Sequence, residues 1–93
     1  MYRYKKSIRA DYNRQGYIYF LSRCYLQMPM QCRKRLRDHC RECAGEKLGE
    51  ALFLFVTTNI SADAVCARYF VPKHTLYGFV KKYYERFPQE IYL

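Results

Sequence analysis

The stretch SADAVCARYFVPKHTLYGFVKKYYERF, residues 61–87, decides the fold. It holds two apolar-periodic runs with a tight break between them. The first run is Ala64, Val65, Cys66 and Tyr69. The second is Leu76, Phe79, Val80, Tyr83 and Phe87, a spacing that draws one apolar stripe along a helix. The break is Phe70-Val71-Pro72-Lys73. Proline lacks a backbone N–H, so it is costly inside a helix and well placed at a helix start. One short helix is therefore expected to end near Tyr69, and another to run from about Lys73 to Phe87, stopping before Pro88. Two helices joined by so short a turn have the layout of a helix-turn-helix.

The same pattern extends upstream. Asn59-Ile60-Ser61 reads as a stop and restart, with Ser61 able to N-cap the helix that follows. Residues 46–58 carry Leu48, Leu52, Phe55 and Val56 at helical spacing, after a break at Gly45. Gly49 weakens that helix, or lets a neighbour approach closely. Pro29 opens another helix over Met30–Ala44, with Cys32, Leu36, Cys40 and Cys43 as its apolar stripe and Arg33, Lys34, Arg37 and Arg41 off it. His39 is placed on that basic side, beside Asp38. Residues 12–28 read as a largely buried helix through Ile18, Leu21, Tyr25 and Met28; a strand around Tyr17 and Tyr19 is the alternative. The reading is an all-α single domain. A basic arm (1–11) precedes two N-terminal helices (12–45), a three-helix unit (46–87) and a tail (88–93), of which Ile91 and Leu93 can pack back on the core.

Residues 61–87 resemble the helix-turn-helix of homeodomain-like bacterial regulators, transposases and recombinases, whose turn often reads G-V-[SP]-x-x-T-L-Y. Here the turn reads Phe70-Val71-Pro72-Lys73-His74-Thr75-Leu76-Tyr77. The core positions of that family fall on Val65, Tyr69, Val71, Leu76 and Phe79, and its small residue on Cys66. One position departs. The family often has glycine, with positive φ, where this chain has Phe70. A bulky residue is unfavourable there, so either the turn opens differently or Phe70 packs. The resemblance implies a three-helix, homeodomain-like unit whose last helix enters the major groove of double-stranded DNA. It also implies outward residues Lys73, His74, Tyr77, Gly78, Lys81 and Lys82. Thr75 would cap the helix or touch a phosphate, and Arg68 would be a second phosphate contact.

Charge agrees with an anionic partner. The 93 residues carry a net +9, and a polyanion such as a nucleic-acid backbone is the simplest match. The excess sits in residues 1–41, which adds Arg33, Lys34 and Arg37 to the candidate phosphate contacts. The basic arm can reach DNA phosphates or the minor groove; a solvated tail is the plainer alternative. No long amphipathic surface helix with exposed Leu or Phe points to a membrane. The apolar run Ala51–Val56 is far too short to span one.

Five cysteines, an odd number, and no apolar signal segment after the basic N-terminus suggest reduced thiols in a cytoplasmic protein. Cys40-Arg41-Glu42-Cys43 is a CxxC, and with Cys32 and His39 it is a candidate zinc set. A second ligand pair is missing, and the helical spacing places Cys40 and Cys43 in the core instead. No metal or other cofactor is expected. No phosphate loop, nucleophile elbow or His-Glu metal motif appears, so a non-enzyme is expected. Sequence-specific or structure-selective DNA binding, as a transcriptional regulator or mobile-element accessory factor, is the leading expectation. The rival is a protein-interaction module that self-associates, as a homodimer for example, through a tyrosine-rich surface.

Overall fold

The computed structural model describes residues 3–93. They form four helices and no strand among the described residues: α1 (Tyr12–Arg23), α2 (Met30–Thr57), α3 (Ala62–Tyr69) and α4 (Lys73–Glu85). Their radius of gyration is 12.2 Å, close to the roughly 12 Å of a fully packed chain of this length. The core is shared by all four helices and centres on Ile18, Leu36, Leu52, Val65, Leu76 and Tyr83, each fully buried.

Each boundary has a local cause. Asp11 caps α1, its Oδ1 accepting from the Arg14 N–H at 2.7 Å. The helix stops at Arg23 rather than running on to Met28 as the apolar spacing suggests. Pro29 disfavours helical geometry at the residue before it, and Met28 is accordingly extended, at φ −75° and ψ 152°. A short 3₁₀ turn at Tyr25–Gln27 takes up the intervening chain and still buries Met28.

α2 is helical on both sides of Gly45, which sits at φ 86° and ψ 171°. That geometry is open only to glycine. It splits α2 into arms 30–44 and 46–57, and the bend is sharp. A Cβ added to Gly49 would lie 3.1 Å from Arg41 Cγ and 3.2 Å from Arg41 Cα. Residues eight apart along a straight helix lie about 12 Å apart. Gly49 therefore serves the close approach of one arm to the other.

On the first arm, Cys32, Leu36, Cys40 and Cys43 are buried as their spacing indicates. His39 departs from expectation. It is not on the basic face but 2% exposed, with Nε2 2.9 Å from the Tyr83 carbonyl of α4. Tyr83 O is one of the last carbonyls of α4 and lacks a helical partner. The imidazole Nε2–H donates to it and so holds the end of α4 against α2. Tyr83 is itself fully buried, and its hydroxyl meets Ser22 Oγ of α1 at 2.6 Å. Ser22 spends its own proton on the Ile18 carbonyl at 2.7 Å, so Tyr83 is the donor. Burial raises the Tyr83 pKa well above its usual value.

Ser61 caps α3 through the Ala64 N–H. At the other end Phe70 adopts φ 55° and ψ 45°, the left-handed conformation. The Val71 N–H reaches the Cys66 carbonyl at 3.1 Å, which closes a Schellman motif with phenylalanine in the glycine position. The turn thus keeps the glycine geometry, and Phe70 is not a packing residue: it is 93% exposed. Phe70→Gly is expected to stabilise the fold by roughly 0.5–1 kcal/mol, because relief of left-handed strain exceeds the extra flexibility of glycine. A denaturant melt of the variant measures it.

α4 begins after Pro72 and ends at Glu85, two residues short of the expected Phe87. Phe87 and Ile91 still reach the core, whereas Leu93 is 60% exposed and does not pack back.

Candidate nucleic-acid interface

α4 divides cleanly around its circumference. Leu76, Val80 and Tyr83 face the core. His74, Gly78 and Lys82, at i, i+4 and i+8, form an exposed strip on the other side. His74 and the Lys82 ammonium have no side-chain partner among the described residues. A Cβ on Gly78 would meet nothing within 4 Å, so this strip is open to an incoming surface.

The cations flanking the strip are already engaged. Lys73, at the first position of α4, pairs with Asp63 of α3 at 2.8 Å. The Asp63 carboxylate raises its pKa. The pair spans the turn and ties the two helices. Lys81 pairs with Glu85 one turn on. The Thr75 hydroxyl does not cap α4, whose start carries no side-chain cap. Arg68 is exposed, with its guanidinium 5.9 Å from the Tyr69 ring.

The N-terminal segment is not a flexible arm where it is described; Met1 and Tyr2 lie outside the described residues. Gln15 of α1, 1% exposed, holds it. Gln15 Oε1 accepts from the Lys5 N–H at 3.0 Å, and Nε2 donates to the Lys5 and Ala10 carbonyls, each at 2.9 Å. Ile8 is buried. The Arg9 N–H donates to Glu85 Oε2 at 2.7 Å. Lys81 and that N–H together hold the Glu85 carboxyl below the usual carboxylate range. Lys5 Nζ lies 5.2 Å from the centre of the Tyr77 ring, a cation–π contact. Tyr77 is 39% exposed and meets Phe55 edge-on. The segment thus runs along the Tyr77–Lys81 side of α4 and leaves the His74–Gly78–Lys82 strip uncovered.

The cations of α2 are elsewhere. Arg37 Nε donates to the Tyr25 hydroxyl at 2.9 Å, its guanidinium lies 4.1 Å from the Phe53 ring, and Glu50 pairs with it. Tyr77 packs on Phe55. Phe53 and Phe55 are about 200° apart around the same helix, so Arg37 and the α4 strip lie on different sides. Arg33 Nε donates to the Met28 carbonyl. Lys34 is exposed and unpaired among the described residues. Arg37 is therefore engaged away from the α4 strip, and Arg33 gives its Nε–H to its own segment.

The CxxC is buried. Burial pushes the Cys43 thiol up to about 11 and the Cys40 thiol higher still, so neither is a thiolate at neutral pH. His39 Nδ1 and Nε2 each lie 3.8 Å from Cys43 Sγ. All five cysteines are free. No three metal-ligating side chains converge among the described residues. No described helix is long and apolar enough to cross a membrane.

The clamp at Gln15 and the anchor at Glu85 lie among the contacts that the sequence pattern does not specify. The first left a trace, since Gln15 sits at i, i+3 and i+7 with Ile18 and Ser22 on the buried side of α1. A polar residue in an apolar stripe signals a buried hydrogen-bonding task. Comparison with models of known protein families, with curated proteins and with solved structures found no match.

Proposed function

We propose that the chain is a DNA-binding protein of the helix-turn-helix class, with 46–87 as a homeodomain-like unit and α4 as its recognition helix. The observation that carries this is the open strip of His74, Gly78 and Lys82 on the outer side of α4. It stands beside Lys73 and Lys81 in a chain of net charge +9. Gly78 lets the helix backbone come close to a base edge. His74, near the helix start, donates to or accepts from a base, and Lys82, farther along, neutralises a phosphate. Lys73 changes partner from Asp63 to a phosphate or guanine, and Arg68 adds a contact ahead of the turn. A role as transcriptional regulator or mobile-element accessory factor rests on the resemblance of the turn alone.

Fluorescence anisotropy on a duplex panel tests the reading. Affinity is expected to fall steeply with salt, and Lys82→Ala to flatten the log–log slope by about 1. His74→Ala weakens binding without shifting the melting transition. Arg37→Ala shifts the melting transition and leaves the slope alone. Duplex affinity untouched in the His74 and Lys82 variants would remove α4 as the contact surface.

Phe20, Leu26 and Met30, exposed by 60%, 78% and 74%, favour a second reading, self-association through the end of α1 and the start of α2. It requires a mass that rises with concentration in sedimentation, with no anisotropy change on DNA.

A further inference from the structure

Between the N-terminal segment, α1, α2 and α4 lies a cavity of about 180 Å³. Three cationic side chains line it, Arg3, Lys5 and Arg23, and no carboxylate does. Its apolar wall comes from Ile8, Val56 and Val80. Among the described residues Arg3 has no ion pair, and the Lys5 ammonium has only the face of Tyr77. Arg23 bonds to Asn59 Oδ1 through Nη1 and stacks on Tyr19 at 4.5 Å. Its Nε is buried and has no hydrogen-bond partner. That atom is enclosed, so an anionic oxygen entering the cavity meets the guanidinium at its other nitrogens.

We infer that this cavity is a binding site for a small aromatic carboxylate. Size sets the first half of that assignment. An apolar cavity of about 150 Å³ accommodates benzene, so about 180 Å³ is room for a six-membered ring with a short substituent. Charge sets the second half. Three cations with no acid among the lining residues favour one anionic group, with Arg23 and Lys5 as its partners. The ring lies against Ile8, Val56 and Val80, and the carboxylate faces Arg23 and Lys5. The site goes beyond the nucleic-acid reading and does not depend on it. Because Lys5 belongs to the N-terminal segment and Tyr77 to α4, a bound acid also ties that segment to the helix.

Thermal melts of the full chain in millimolar benzoate, with no DNA present, test the site. Benzoate is expected to raise the melting temperature saturably, since a ligand at about 100 times its Kd raises the folded-to-unfolded ratio about 100-fold. Inorganic phosphate, which lacks the ring, and benzyl alcohol, which lacks the charge, are expected to do little at the same concentration. Arg23→Leu, which keeps an apolar side chain on the wall, weakens benzoate binding at least tenfold. Should that variant fold poorly, NMR titration of the unmodified protein reads the same site, through benzoate-induced shifts at Tyr19, Tyr77 and the Lys5 amide. The assignment is overturned if benzoate produces no saturable shift, if phosphate or benzyl alcohol matches it, or if a folded Arg23→Leu protein binds benzoate as well as the parent.

Discussion

Gly45→Ala lowers the stability of the fold by about 1–3 kcal/mol, the usual cost of forcing a side chain into backbone space reserved for glycine. That is a large share of the roughly 5–15 kcal/mol that holds a domain together. The cause is local and clean. Gly45 is exposed, and a Cβ there would meet no atom within 4 Å. Crowding by neighbours is therefore absent, and the whole effect comes from φ 86° and ψ 171°. If the alanine chain avoids that geometry, the arms of α2 lose their angle. Cys40 and Cys43 on one arm then separate from Leu52 and Val56 on the other, and the core between them opens. Gly78→Ala is the matched control. It has ordinary helical geometry and equal space, so it is expected to gain about 0.5–1 kcal/mol. Denaturant midpoints at unchanged m separate the two glycines. If Gly45→Ala unfolds at the midpoint of the parent, α2 does not bend as described.

How far these features can be read without coordinates depends on how local their causes are. Ser61, Pro72 and Gly45 act on their own backbone, and each marks a boundary that the structure places within a residue or two. The buried stripe of Cys32, Leu36, Cys40 and Cys43 follows from helical period alone. What escapes is set by partners distant in sequence. Gln15 is recruited by the backbone of residues 5 and 10, and Glu85 by the Arg9 N–H. Arg37 reads as a candidate phosphate contact until Tyr25 of the 3₁₀ turn and Glu50 and Phe53 of the second arm of α2 converge on it. Charge sign is visible in a sequence, but the spending of each charge is not. For that reason the open part of the α4 face, His74 to Lys82, is narrower than the list of basic residues suggests. Phe70 shows the opposite limit: its bulk argues for a turn that opens or a ring that packs, yet the turn keeps the left-handed geometry and leaves the ring exposed.

His39→Ala is expected to cost about 2–5 kcal/mol, from the cavity it leaves and from a Tyr83 carbonyl stripped of its donor. The ring fills space between Tyr83 and Phe87, with centroids 5.0 and 5.8 Å away, so little can collapse into the hole. His39→Leu separates the two contributions, because it refills much of the volume and restores no hydrogen bond. It also removes a proton site. Burial is the main influence on the His39 pKa and lowers it from 6.5, with Arg35 adding to the effect. The Tyr83 carbonyl and Glu42 oppose it without reversing it. The folded protein therefore holds this imidazole neutral while the unfolded chain binds a proton on it. Stability from that difference is fully present above about pH 6.5 and is lost as pH falls toward the depressed folded value. Carboxylates titrate mostly below about pH 5, and His74 is common to both proteins. Between about pH 6.5 and 5, the parent should lose stability with falling pH, and His39→Leu should lose much less. Urea midpoints of the two proteins across that window measure the difference directly. Parallel pH profiles would mean that His39 is not the buried neutral group that holds α4 to α2.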